Sequence, residues 1–220
     1  GLKLIPLMLG IVSTSILSGK LISKHGHYKR FPIMGTAIMT VGILAMYTLQ
    51  IDTPYWQLAI FAVMVGAGLG LSMQTIVIAL QNSVEFKDMG VATSSNTFFR
   101  SLGSVFGTAL FGAILTNRLS HYLASNFAEL AAKNPDAASA VDPTKLAAIQ
   151  NNTSLIKTLP AQVQTAVLDA FVHSFHIVFI VAAPVVALGF FVALFLRETP
   201  LRTSEDYAAA RNESAGEALG

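Results

Sequence analysis

The sequence contains no cysteine, which excludes a disulfide framework and a thiolate metal site. Charge is scarce as well: 12% of the 220 residues are Asp, Glu, Lys or Arg, against about 25% in a soluble domain. The net charge of +2 is too small to point to a nucleic-acid partner, so placement of charge rather than its sum carries the information. There is no HExxH, no P-loop and no glycine-rich phosphate cradle, so nothing supports a membrane hydrolase or an ATP-driven motor in this chain, and no cofactor is expected. No n-region or cleavage site precedes the first apolar run, which therefore does not read as a signal peptide. The chain reads as the middle of a longer one.

What is abundant is apolar sequence, at 53%. A helix needs about 20 mostly apolar residues to cross the hydrocarbon core. Five stretches qualify: 4–22, 31–49, 56–80, 98–115 and 177–196. A soluble core helix can imitate one of these but not all five. The expected fold is an all-α membrane protein. Residues 1–117 hold four spans, 118–170 a long external helical loop, 171–196 the last span and 197–220 a tail.

Charge placement gives an orientation. The first connection carries Lys24, Lys29 and Arg30, whereas the second, 50–55, has Asp52 and no cation, followed by the interfacial residue Trp56. Cytoplasmic loops are enriched in Lys and Arg, so the first loop is expected inside and the second outside. Counting onward places 85–88 inside, the segment after Asn117 outside and the tail inside, with Arg197 and Arg202 flanking its exit. In the long segment, Leu119, Tyr122, Leu123, Phe127 and Leu130 recur at helical spacing, a short amphipathic helix continuing from the fourth span. Asn134-Pro135-Asp136 and Asp142-Pro143 are turn signals. Pro160 suits the first turn of another helix that leads through Val163, Val167 and Phe171 into the last span.

Two stretches carry a resemblance. The loop from Gly19 to Lys29 resembles the cytoplasmic signature of the major facilitator superfamily, with Gly19, Leu21, Lys24 and Gly26 matching. Ser23 stands where that family has Asp, and His27 where it has Arg. The physical requirement is a tight turn between antiparallel helices, for which Gly26 can take positive φ. The stretch from Asp88 to Gly103, with the Gly66–Leu71 run and Gln81-Asn82 before it, is similar to the fourteen-helix drug:proton antiporters of the EmrB/QacA type, which also have a long external loop before the last helix. The resemblance covers the chain up to the tail. It implies the C-terminal part of the major facilitator fold, with the first half of the transporter outside these 220 residues, and these spans as helices eight to twelve of the shared core.

Polar residues inside the spans are the candidate functional positions. Thr93, Thr97, Arg100, Ser104 and Thr108 form one stripe on a helix. An Arg in mid-membrane costs about 2.5–3.5 kcal/mol on insertion scales, so the stripe faces other helices or a water-filled cavity. Helix packing and a transport path both satisfy this. Gly66 and Gly70, like Gly103 and Gly107, have the spacing that permits close helix approach. Gln74 either orients a substrate or bonds to a neighbouring helix. His173 and His176 lie at the outer mouth of the last span, either as plain interfacial residues or as sensors of external protons; a metal site would need further ligands. No span contains Asp or Glu, so carboxylate-mediated proton coupling would rest on residues outside this chain.

The function these features imply is secondary active transport, with proton-coupled efflux of amphipathic organic compounds by alternating access. The partners would be the bilayer, the N-terminal half of the same protein, a small organic substrate and protons. A membrane-embedded enzyme subunit would need an acid–base pair or metal cluster in the spans. A non-transporting sensor or scaffold would rest on the histidine pair alone.

Overall fold

The computed structural model describes residues 2–133, 156 and 159–201. Every regular element among them is helical. The main helices are α1 (Ile5–His25), α2 (Arg30–Met46), α3 (Tyr55–Ser83), α4 (Met89–Lys133) and α5 (Ala161–Leu194), with single 3-10 turns at Leu2–Leu4 and Phe86–Asp88. Four segments are long and apolar enough to cross a membrane: Leu2–His25, Tyr55–Ser83, Phe86–Lys133 and Ala161–Leu194. The fifth apolar helix, α2, has 17 residues. At 1.5 Å per residue it is about 25 Å long, at the short end of what spans a bilayer.

Helix ends follow local chemistry. Pro6 lies in the first turn of α1, where a missing N–H costs nothing. Gly26 ends α1 in the left-handed region at φ 73°, and its N–H bonds to Ile22 O at 2.8 Å. The second apolar stretch runs to residue 49, but regular α2 stops at Met46. Three i→i−3 bonds follow, from Tyr47, Thr48 and Leu49 to Leu44, Ala45 and Met46, and they wind the chain down into a turn.

The stripe at 119–130 is expected to continue helically from the fourth span. The structure has one helix of 45 residues, Met89–Lys133. No proline and no glycine falls between Gly112 and Lys133 to interrupt it. At about 68 Å it is more than twice the thickness of a hydrocarbon core. Pro184 sits inside α5, which stays helical through it; such breaks are tolerated in membrane helices. The turn signals at 134–136 and 142–143 lie outside the described residues, as does Arg202.

The chain divides into two compact units. One comprises Gly1–Gly42, Ala59–Val105 and Pro184–Gly220; the other comprises Ile43–Leu58 and Phe106–Ala183. In the first, α3 packs against α1 and α2, and a small cluster of Ile22, Tyr28 and Ala79 is covered by Phe31, Ile78, Leu196 and Leu201. In the second, Leu119 and Leu123 of α4 meet Ile156 and Val163, Val167 and Ala170 of α5. The apolar stripe read from 119–130 thus packs on the start of α5, and Asn126 Nδ2 donates to Ala166 O at 2.9 Å beside it.

Candidate functional site

Helix association within a membrane gains nothing from removing apolar surface from water, so it depends on close packing and interhelical hydrogen bonds. Both are present where α1 and α3 meet. A Cβ placed on Gly66 would collide with the Leu7 carbonyl oxygen, and one on Gly70 with the Thr14 hydroxyl and Ile11 carbonyl. A Cβ on Gly10 would stand 2.7 Å from Val63 O. Across the same seam, Thr14 Oγ1 donates to Ala67 O at 3.0 Å and Ser15 Oγ to Gly70 O at 3.2 Å. The α2–α3 contact uses the same device: a Cβ on Gly35 would sit 2.5 Å from Ser72 Oγ, and one on Gly68 would strike Gly35 O. Gly68 and Gly35 were not singled out from the sequence, although Gly68 lies in the same glycine run.

The seam leaves particular polar positions uncovered. Gln74, one turn beyond Gly70, is exposed, whereas Ser72 and Thr75 beside it are buried with their hydroxyls bonded to Gly68 O and Leu71 O. On α4, no residue from Met89 to Val105 is buried. Thr97, Arg100, Ser104 and Thr108 are exposed and Thr93 is half-buried, with Thr97 Oγ1 donating to Thr93 O at 3.0 Å. A Cβ on Gly103 or Gly107 would meet nothing within 4 Å. The stripe therefore lies on an open face of this chain, together with the exposed apolar residues Phe98, Phe99, Leu102 and Val105.

The α1–α2 connection is built differently from the sequence pattern alone. Gly19 and Leu21 are half-exposed, and Lys24 is exposed. Ser23, at the position where the resembled signature has Asp, turns its hydroxyl back to Gly19 O at 3.0 Å. The carboxylate that reaches this loop is Glu198, from the segment after α5. Its Oε1 accepts from Tyr28 N–H at 3.0 Å and Lys29 N–H at 3.5 Å, the groups immediately ahead of α2, and lies 3.3 Å from His27 Nδ1. Tyr28 is almost wholly buried, at 1% exposure. No sequence signal pairs residues 170 positions apart, so neither Tyr28 nor Glu198 stood out.

In the other unit, His176 Nε2 bonds to Leu49 O at 2.7 Å and stacks at a tilt on Tyr47, with centroids 4.8 Å apart. His173 Nδ1 bonds to Asp169 O at 3.0 Å, lies 3.4 Å from Asp169 Oδ2, and its ring faces Tyr122 at 5.5 Å. No group of three or more metal-ligating side chains occurs among the described residues.

The family model described as Major Facilitator Superfamily matches residues 1–123. A major facilitator-type transporter of Mycobacterium tuberculosis is 37% identical over 208 residues, covering 94% of this chain and 28% of that protein. The tetracycline resistance determinant of Streptomyces rimosus is 31% identical over 98% of this chain and 66% of its own length. A multidrug transporter protein of Bacillus subtilis is 30% identical over 100% of this chain and 43% of its own length. The chain thus spans less than two thirds of each of these relatives. No solved structure matches. Long apolar helices, a glycine-packed seam and a family match that covers more than half the residues agree with one another: the chain is a multi-pass membrane protein and belongs to the major facilitator superfamily of transporters.

Proposed function

We propose that the chain is the C-terminal part of a secondary active transporter that exports amphipathic organic compounds against proton entry. The observation that carries this reading is the open face of α4. Arg100, Thr97 and Ser104 lie exposed within a long apolar helix, and a guanidinium there is too costly to leave against lipid. Its natural cover is another helical bundle or a water-filled path between bundles. Major facilitator transporters are built from two such bundles, which rock about a midplane site, so the rest of the same protein is the proposed cover. Exposed Gln74 and the α4 stripe are then the proposed substrate-facing or gating positions. Gly66 and Gly70 hold the bundle together, and Gly103 and Gly107 offer a flat approach to the other bundle.

Efflux of drug-like compounds is favoured because relatives over nearly the whole chain carry the names tetracycline resistance determinant and multidrug transporter. The fourteen-helix EmrB/QacA-type branch is favoured by the 88–103 stretch and the long connection before α5. The sequence has no carboxylate in its apolar runs, so the proton-coupling acid belongs to the remainder of the protein. The protein is assigned to the cell membrane, with the Gly26 loop and the C-terminus on the cytoplasmic side, from the Lys/Arg asymmetry.

The test is uptake of a fluorescent cationic dye into everted vesicles carrying the full-length protein. An acid-inside gradient should drive uptake above that of empty vesicles, and a protonophore should abolish it. Equal uptake with and without the protein for a panel of amphipathic dyes would reject the efflux reading.

A further inference from the structure

The segment behind α5 is not a loose end in the described structure. Between Arg197 and Leu201 it crosses the ends of three other helices of its unit, and each crossing is bonded. At α2, Glu198 takes the two backbone N–H groups just before the first turn. The first N–H groups of a helix lack intrahelical acceptors, and a carboxylate there is further favoured by the helix dipole. At the α1–α2 turn, the Tyr28 hydroxyl accepts from Thr199 N–H at 2.9 Å, lies 3.1 Å from Thr199 Oγ1 and donates to Arg197 O at 3.4 Å. At the end of α3, Asn82 Nδ2 lies 2.9 Å from Thr199 Oγ1, 3.2 Å from Thr199 O and 2.9 Å from Pro200 O. Beneath these bonds Leu196 and Leu201 close over Ile22, Tyr28 and Ala79.

We infer that Arg197–Leu201 is a clasp that fastens the ends of α1, α2, α3 and α5 to one another, with Glu198 supplying the carboxylate that the α1–α2 loop lacks. Ser23 cannot serve, because its short hydroxyl is bonded to its own helix. Glu198 reaches the same turn from the far end of the chain, and Tyr28 is the post on which the clasp closes. Its ring fills the cluster while its N–H binds Glu198 and its hydroxyl binds Arg197 and Thr199. The consequence is mechanical: this end of the unit moves as one body. Its use in transport, as the rigid end of a rocking bundle, rests on the function proposed above.

The experiment uses the full-length protein with a single reporter cysteine, solubilised in detergent so that sidedness plays no part. Ala79→Cys lies under the clasp and Ala62→Cys lies elsewhere in the α3 packing; both positions are 7% exposed. Maleimide labelling of each is timed in the parent and in Glu198→Ala, Glu198→Gln and Tyr28→Phe backgrounds. Losing a hydrogen bond to a charged group should speed labelling at position 79 by about tenfold or more in Glu198→Ala. Tyr28→Phe should do so by a smaller factor, and Glu198→Gln, which keeps an acceptor without the charge, should fall between parent and Glu198→Ala. Position 62 should stay as slow as in the parent. Unchanged labelling at 79 in Glu198→Ala would overturn the clasp. Equal acceleration at 79 and 62 would overturn it too, since the segment would then support the whole bundle rather than this end. The readout does not involve transport, so its failure would leave the efflux reading standing.

Discussion

His176 donates from Nε2 to the Leu49 carbonyl oxygen at 2.7 Å, which ties α5 to the turn that follows α2. A carbonyl only accepts, so Nε2 carries the proton in the neutral ring. His176→Phe keeps the ring against Tyr47 but abandons the carbonyl, and should lower stability by about 1 kcal/mol. The check is the thermal midpoint of the full-length protein in detergent. A midpoint equal to the parent's would mean that this bond does not hold α5 to the turn.

Glycines of α3 and of α4 should respond to the same change for different reasons. Gly66→Ala or Gly68→Ala drives a methyl group into backbone oxygen atoms, of Leu7 and Gly35 respectively, and neither can step aside without separating two helices. Overpacking of this kind costs about 1–3 kcal/mol. Gly103→Ala meets open space within this chain, so a loss in the full-length protein would come from the other bundle, whose proposed approach at Gly103 predicts one of about 1–3 kcal/mol. Thermal midpoints of the full-length variants measure both. A neutral or stabilising Gly103→Ala would remove the proposed approach of the other bundle at that point.

Sidedness is open to a direct measurement. Ser23→Cys and Ala124→Cys both occupy exposed positions. In intact cells an impermeant maleimide should label position 124 and spare position 23, with position 23 labelled only after permeabilisation. The reverse pattern would invert the proposed orientation.

The helices were legible because an apolar run of about 20 residues has few other uses, and the glycine spacing on α3 marked a close-packed face. The length of α4 was less legible. A stripe at 119–130 looks the same whether its helix is separate or continuous, and only the absence of a breaker before Lys133 decides. The exposure of Gln74 depends on α1 covering Gly66 and Gly70 but not the next turn, which is a property of packing rather than of either helix. The bonds from Glu198 to Tyr28 and Lys29 were illegible for a simpler reason: two short loops at opposite ends of a sequence carry no periodicity by which one could announce the other.

Residues 1–220 alone should not transport. The proposed site lies between two bundles, and the chain spans only 28–66% of the relatives described above. Proteoliposomes holding this segment should leak dye at the rate of empty ones, and saturable, gradient-driven flux would place the whole site within it.

Arg100 supplies the sharpest test of the open face of α4. It sits about 17 Å along the helix axis from Met89, exposed in this chain, with Thr97 and Ser104 on the same stripe and Phe98, Phe99 and Leu102 around it. If the rest of the protein covers this face, the guanidinium offers up to five donors to acceptors on that side. Arg100→Leu would leave those acceptors unpaired, at about 1–3 kcal/mol for each buried group. Arg100→Lys retains the charge but not the planar fork, and should recover only part of the loss. Both variants belong in the full-length protein, with surface abundance measured beside dye efflux. Arg100→Leu should reach the membrane at near-parent abundance and export less than a tenth as fast, a drop of the size that about 1.4 kcal/mol produces. Parent-like efflux from Arg100→Leu would mean that the side chain merely reaches toward headgroups, and the open face of α4 would then be a lipid contact rather than part of the transport path.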